Sequence, residues 1–195
     1  MPANSPDDPS TGSLRGQLIV ATPKLGDPRF RRAVLLILDH DGNGALGVVL
    51  NRPTEVAVAD VLPTWAELVS PPSHLFAGGP VSTNAALGLA RLVTMGADEP
   101  LGWQPLYERM GLVELDTPAE LVSGRVDAMR IFAGYAGWSG GQLEEELAEG
   151  AWYVVTAEGG DVFGADQENL WRDVLRRQSG EMAFVASFPD DPSLN

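Results

Sequence analysis

Apolar residues along this chain fall into short runs separated by turn formers, and the runs read as alternating strands and helices. Residues 17–21 read as a short strand. Residues 33–38 are apolar throughout, the pattern of a strand buried on both faces. The stretch DHDGNG, residues 39–44, is dense in turn formers, and residues 45–50 resume as a strand, so 33–50 is expected to form a β-hairpin with a longer loop. Pro53 ends that strand, because it donates no ladder hydrogen bond and holds Arg52 extended. Residues 58–68 carry weak helical spacing broken at Pro63. Strands are expected at 74–77, stopped by Gly78-Gly79-Pro80, and at 86–93.

Residues 96–110 lack periodicity and read as a loop carrying Trp103 and Tyr107. It is either a partner-contacting flap or a surface loop with its aromatics laid on the body. A short strand at 112–115 and a short helix at 118–122 follow. A strand over 129–132 then enters a corner dense in glycine and aromatics, GYAGWSGG. Ser139 is expected to cap the next helix, with Gln142 reaching back in a capping box and Leu143 and Leu147 facing the core. Residues 152–156 read as a strand. Asp166 is expected to cap a final helix whose buried stripe is Leu170, Trp171, Val174 and Leu175, and 184–186 reads as a last strand.

A chain of 195 residues suits one domain, expected over 14–188, between a disordered tail at 1–13 and a second tail at 189–195. The 27 acidic residues outnumber 13 basic ones, and the net charge of −14 repels nucleic acid and anionic membranes over long range. The absence of cysteine excludes disulfides, thiolate metal sites and thiol redox switches. Residues 1–13 lack the basic start and apolar centre of a signal peptide, and no apolar run is long enough to span a bilayer, so the cytoplasm is the expected compartment.

Three motif matches fail on context. GWSGG fits the nucleophile elbow around Ser139, but both histidines, His40 and His74, precede the serine, and a helix cap already accounts for it. Asp39, Asp41, Asn43 and Gly44 match the first half of a calcium loop, but its bidentate twelfth position is Leu50 and its flanks are strands. Gly42, Gly44 and Gly47 match a dinucleotide fingerprint without the helix it needs. No catalytic residue, metal site or cofactor is therefore assigned. His40, inside a polar turn, is expected to be solvated, and His74 to be partly buried.

Four punctuated corners remain. If the sheet gathers them, Arg52 and Arg130 bind an anion with Asn51 and Tyr135 as hydrogen-bonding neighbours, and Gln142 and Glu145 face the same groove. The expected binding set is Asn51, Arg52, Gly78, Gly79, Arg130, Tyr135, Trp138, Gln142 and Glu145. Each also has a plain structural role open to it: close packing for the glycines, a carboxylate partner for Arg52.

The corners taken in order, DPRFRRAVLLILDHDGNGALGVVLNRP, then LFAGGPV, then RIFAGYAGWSGGQLEEELAEGAW, resemble the YqgE/AlgH family of bacterial proteins over roughly residues 16–177. The resemblance implies an α/β (α+β) fold, a mixed, bifurcated β-sheet folded into a pseudo-barrel with flanking helices. Relatives often carry glycine where this chain has Ser139. The family has no established reaction, and its regulator label comes from a genetic association with alginate production in pseudomonads. The first reading is thus a non-enzymatic regulatory or protein-interaction domain with an unknown protein partner. A binder or enzyme for a small anionic molecule, using Arg52, Arg130, Tyr135 and Glu145, is the second. Direct DNA binding through the clusters Arg29/Arg31/Arg32 and Arg172/Arg176/Arg177 ranks last, against the net charge.

Overall fold

The computed structural model describes residues 12–94 and 98–189; the tails expected at 1–13 and 189–195 lie outside it except for residues 12, 13 and 189. Among the described residues ten strands occur: β1 (Gln17–Ala21), β2 (Val34–Asp41), β3 (Gly44–Val49), β4 (Pro53–Ala57), β5 (His74–Ala77), β6 (Val81–Leu92), β7 (Trp103–Tyr107), β8 (Met110–Val113), β9 (Val126–Ser139) and β10 (Trp152–Thr156). Five short α-helices accompany them: α1 (Val58–Val61), α2 (Gln142–Ala148), α3 (Gly159–Phe163), α4 (Leu170–Arg176) and α5 (Glu181–Val185).

The strands pair in the order β10-β1-β2-β3-β9-β6-β8-β7. All of these pairs are antiparallel. The sheet divides along β9. The C-terminal part of β9 pairs with β3, whereas Phe132 and Ala133 run parallel to β5, which in turn pairs antiparallel with β4. The result is a strongly curled, mixed sheet that forms a half-barrel, the bifurcated architecture the resemblance implies.

Strand periodicity explains how this sheet is covered on both sides. In β1 and β2, Leu18, Val20, Val34, Leu36 and Leu38 face one cluster, which is closed by Leu170, Trp171, Val174 and Leu175 of α4 and by Val185 of α5. The alternate residues Ile19, Leu35 and Ile37 face a second cluster with Trp138, Trp152 and Leu143 of α2. A third gathers Val58, Trp65, Ala90, Met129 and Ile131. The apolar run at 33–38 is buried throughout, as a two-faced strand must be.

Several expectations are corrected. Residues 184 and 185 end α5 and Ala186 caps it, so 184–186 is no strand. Three apolar residues cannot fix a period, and Met182, Val185 and Ala186 meet the core at helical spacing. Within the expected loop at 96–110 (Gly96 and Ala97 lie outside the described residues), residues 103–107 form β7 against β8. Pro105 sits at a register irregularity that hid the pattern. Pro53 begins a strand as well as closing a turn, and the helix expected over 58–68 is only α1 plus a 3-10 turn at Pro63–Trp65. The glycine–aromatic corner is the continuation of β9, which ends only at Ser139. Gly141, not Ser139, occupies the N-cap of α2, and Asn169, not Asp166, that of α4.

Candidate functional site

The turn between β3 and β4 is tied down by its own side chains. Asn51 is buried. Its Oδ1 accepts from the Val34 amide at 3.0 Å, and its Nδ2 donates to the Arg32 carbonyl at 2.8 Å, so one residue joins the start of β2 to the end of β3. Arg52 donates to the carbonyls of Asn51 (3.2 Å) and Arg31. Burial holds its guanidinium pKa below the usual arginine value. Arg31 and Arg32, from the segment before β2, and Arg172 of α4 stand around it. Together with Glu168 and Trp171 they line a hollow of about 310 Å³.

Arg32 is the hinge of this arrangement. Its backbone is left-handed, with φ of 54°, a conformation costly for a residue with a side chain. The Asn51 amide holds its carbonyl, and its guanidinium lies 4.6 Å above the Trp171 ring, a cation–π contact. That guanidinium donates to the carbonyls of Phe188 (2.8 Å) and Pro189 (2.5 Å), and Arg172 reaches Phe188 as well (3.1 Å). A second hollow, of about 390 Å³, adjoins the first and shares Arg31, Arg32 and Trp171 with it. Its walls include Leu25, Pro28 and Phe188.

The other residues singled out in the sequence lie elsewhere. Gly78 bridges strands: it donates to Ala133 of β9 and accepts from Val49 of β3. Gly79 lies directly on the backbone of Tyr135. Tyr135 is half-buried and lines a different hollow, of about 530 Å³, with Leu87, Leu112, Glu114 and Asp116. Trp138 donates to Glu146 Oε2 at 2.9 Å, Trp152 donates to the same oxygen at 2.7 Å, and Gln142 donates to Glu146 Oε1 at 3.0 Å. Gln142 also accepts from the Ser139 amide, while Glu145 is exposed on α2. Arg130 is 1% exposed. It donates to the carbonyls of Val162 (2.5 Å), Pro71 (2.8 Å) and Gly164 (3.3 Å) above the Phe76 ring, and burial brings its pKa down to about 10. The structure therefore brings Asn51 and Arg52 together, Gly78 and Gly79 against β9, and Trp138 with Gln142. It does not place Arg130 or Tyr135 in the hollow of Arg52.

The basic clusters that invited a DNA reading are dispersed. Arg29 pairs with Asp27 at 2.7 Å, Arg176 faces Asp173 at 3.6 Å, and Arg177 binds Asp161 at 2.6 Å. Arg31, Arg32 and Arg172 instead meet around Arg52, which the sequence signalled only as local basic density. Glu146 was missed too, since nothing in a run of glutamates marks the one that receives two indoles. His40 is a correction: its side chain is only 6% exposed, because β2 extends through the expected turn. It accepts from the Leu14 amide and faces Glu144 at 2.7 Å.

Comparison with known proteins gives one family. A family model described as AlgH-like matches residues 18–183. The UPF0301 protein SCO2948 of Streptomyces coelicolor is 59% identical over 186 residues, covering 94% of this chain and 96% of its own. A UPF0301 protein of Mycobacterium tuberculosis is 42% identical over 200 residues, covering 100% and 98%. Among solved structures, the crystal structure of DIP2367 from Corynebacterium diphtheriae superposes with a TM-score of 0.84 at 32% identity, over 91% of this chain and 94% of that one. The solution structure of the AlgH protein from Pseudomonas aeruginosa gives 0.69 at 25% identity, over 98% and 100%.

Proposed function

This chain belongs to the AlgH-like family, and from that premise we propose that it is a recognition domain that binds an anionic group, without turnover, in the hollow around Arg52. One observation carries the reading. In a chain with a net charge of −14, four arginines drawn from three separate segments line a single small hollow. Arg52, half-buried, donates to the carbonyls of Asn51 and Arg31 and to no carboxylate among the described residues, and a planar guanidinium group matches carboxylate and phosphate oxygens. Among the described residues Glu168 is the one carboxylate lining it, which fits holding a group better than acid–base work on it.

A regulatory role follows naturally from such a domain: the bound group would be the signal, and a protein partner the reader of the liganded surface. Long-range repulsion opposes nucleic acid as the anion. The cytoplasm is the compartment proposed. Among the described residues no helix is long and apolar enough to cross a membrane.

Calorimetric titration with inorganic phosphate at constant ionic strength tests the proposal. Saturable binding with one site, weakened about tenfold or more in Arg52→Gln, is the expected result, as each charge-assisted bond is worth about 1.5–3 kcal/mol. Heats without saturation, or equal affinity in the variant, would overturn it.

A further inference from the structure

Strand β6 runs on past its neighbour. β8 opposes it only at Gly88–Arg91, so the first half of β6 has no strand on that side among the described residues. On the other side β9 meets Val81 through Tyr135 and Ala86 through Ala133, and residues 82–85 stand opposite Gly134 alone. The cause is local. Gly134 has a φ of 72°, and a Cβ there would come within 2.6 Å of the Gly79 carbonyl oxygen and 2.8 Å of that of Val81. The β5–β6 turn therefore lies against β9, and the extra residues of β6 are pushed outward as a bulge. Residues 81–86 are exposed throughout. Sheet edges are commonly blunted by charge or proline, and the stretch Ser82-Thr83-Asn84-Ala85-Ala86-Leu87 has neither.

Beside this open edge lies the hollow of about 530 Å³. Ala85, Ala86 and Leu87 bound it on one side, and Glu114, Leu115 and Asp116, where the chain leaves β8, on the other. Glu114 and Asp116 are exposed, and neither has an ion pair among the described residues. We propose that β6 takes up an extended peptide of a partner protein as an added strand along residues 82–87, in line with β8, with a basic side chain of the peptide against Glu114 and Asp116 and an apolar one in the hollow. Main-chain hydrogen bonds to the edge supply affinity in this mode, and pockets for alternate side chains supply specificity. Six residues of edge give a strand of about 20 Å to pair with. The two carboxylates, in a chain of net charge −14, select a basic peptide over an acidic one. This surface shares no lining residue with the hollow of Arg52, so it stands or falls independently of the anion site.

The test titrates the isotope-labelled full chain, by nuclear magnetic resonance at low ionic strength, with acetyl-Val-Thr-Arg-Thr-Val-amide, whose alternation puts Val, Arg and Val on one face. Saturable shifts at the amides of residues 82–87 and 114–116 are expected. Peptides N-methylated at every other residue, made in both phases, should differ: the phase that blocks the paired edge binds about tenfold more weakly, and the other binds like the parent. Replacing the peptide's Arg by Glu should weaken binding, and Glu114→Gln combined with Asp116→Asn, at two exposed positions, should weaken the basic peptide about three- to tenfold. The inference is overturned if no peptide gives saturable shifts at β6, if the acidic peptide binds as well as the basic one, or if both N-methylated phases match the parent. Hexylamine shifting the same amides with equal affinity would make the hollow an amine site, and strand addition would fall. Shifts confined to the surroundings of Arg52 would also sink it while leaving that site in place.

Discussion

A Cβ added at residue 79 would come within 2.2 Å of both the carbonyl carbon and the carbonyl oxygen of Tyr135, and the backbone there has a φ of 157°. No flexible side chain stands in the way; the obstacle is main chain, so relief requires the β5–β6 turn to move off β9. Gly79→Ala should therefore destabilise by ~3 kcal/mol, within the range of strained or overpacked sites. Gly137 sits in the same strand as Tyr135 but faces space, its nearest neighbour being a Tyr135 ring carbon at 3.9 Å. Gly137→Ala should shift stability by about 0.5 kcal/mol or less. Urea unfolding of the two variants separates close approach from mere glycine content; similar midpoints for both would show that the contact at Gly79 is not what fixes the turn. The same scale explains what could be read from the sequence in advance. Gly78-Gly79 and Asn51-Arg52 are visible because turn chemistry is local. Arg172 is not, since its place beside Arg52 depends on how α4 docks across the sheet.

Among the elements, those marked by a continuous apolar run or a clean helical period were legible. The hairpin of β2 and β3 follows from an apolar run buried on both faces and a polar turn, and the buried stripe of α4 follows helical spacing closely. β7 escaped because Pro105 and a register shift interrupt a strand only five residues long, its partner β8 overlaps the strand expected at 112–115 but begins at Met110, and α3 escaped because its five residues begin with two glycines. The hairpin of β7 and β8 has a measurable signature. Tyr107, at the end of β7, packs over Gly16, and its phenol is pushed up to about 12, chiefly by burial and then by the charges of Glu108 and Asp161. The folded state thus keeps a proton that the unfolded chain releases near pH 10. This contribution to stability is complete below pH 10 and is lost as pH rises toward 12. Phenolate absorbance should accordingly show a late step near pH 12 that Tyr107→Phe removes, and the variant should lose less stability than the parent over that alkaline range. An absorbance titration unchanged by the substitution would mean that β7 does not cover the ring.

On the scale of the molecule, β9 decides whether the two parts of the divided sheet behave as one. Its residues enter every core cluster: Phe132 the first, Ala136 and Trp138 the second, Met129 and Ile131 the third. It also pairs with β3, β5 and β6 along its fourteen residues. Neither part can bury its apolar face after this strand is withdrawn, so residues 14–188 are proposed to unfold as a single domain. Thermal unfolding should then give equal calorimetric and van't Hoff enthalpies. The slowest amides of β2 and of β6, from different parts of the sheet, should exchange with the same opening free energy. Phe132→Leu sharpens the test, because the ring is fully buried and packs edge-on to Phe76 at 6.0 Å. Its loss should cost about 1–2 kcal/mol, and the decrease should appear equally in β2 and β6, although β2 lies two strands away from β9. A decrease confined to β6 would make the half-barrel two cooperative units sharing a strand. The arginine-lined hollow, which joins the β3–β4 turn to α4, would then belong to the β2 unit alone, and a ligand there could stabilise only that part of the sheet.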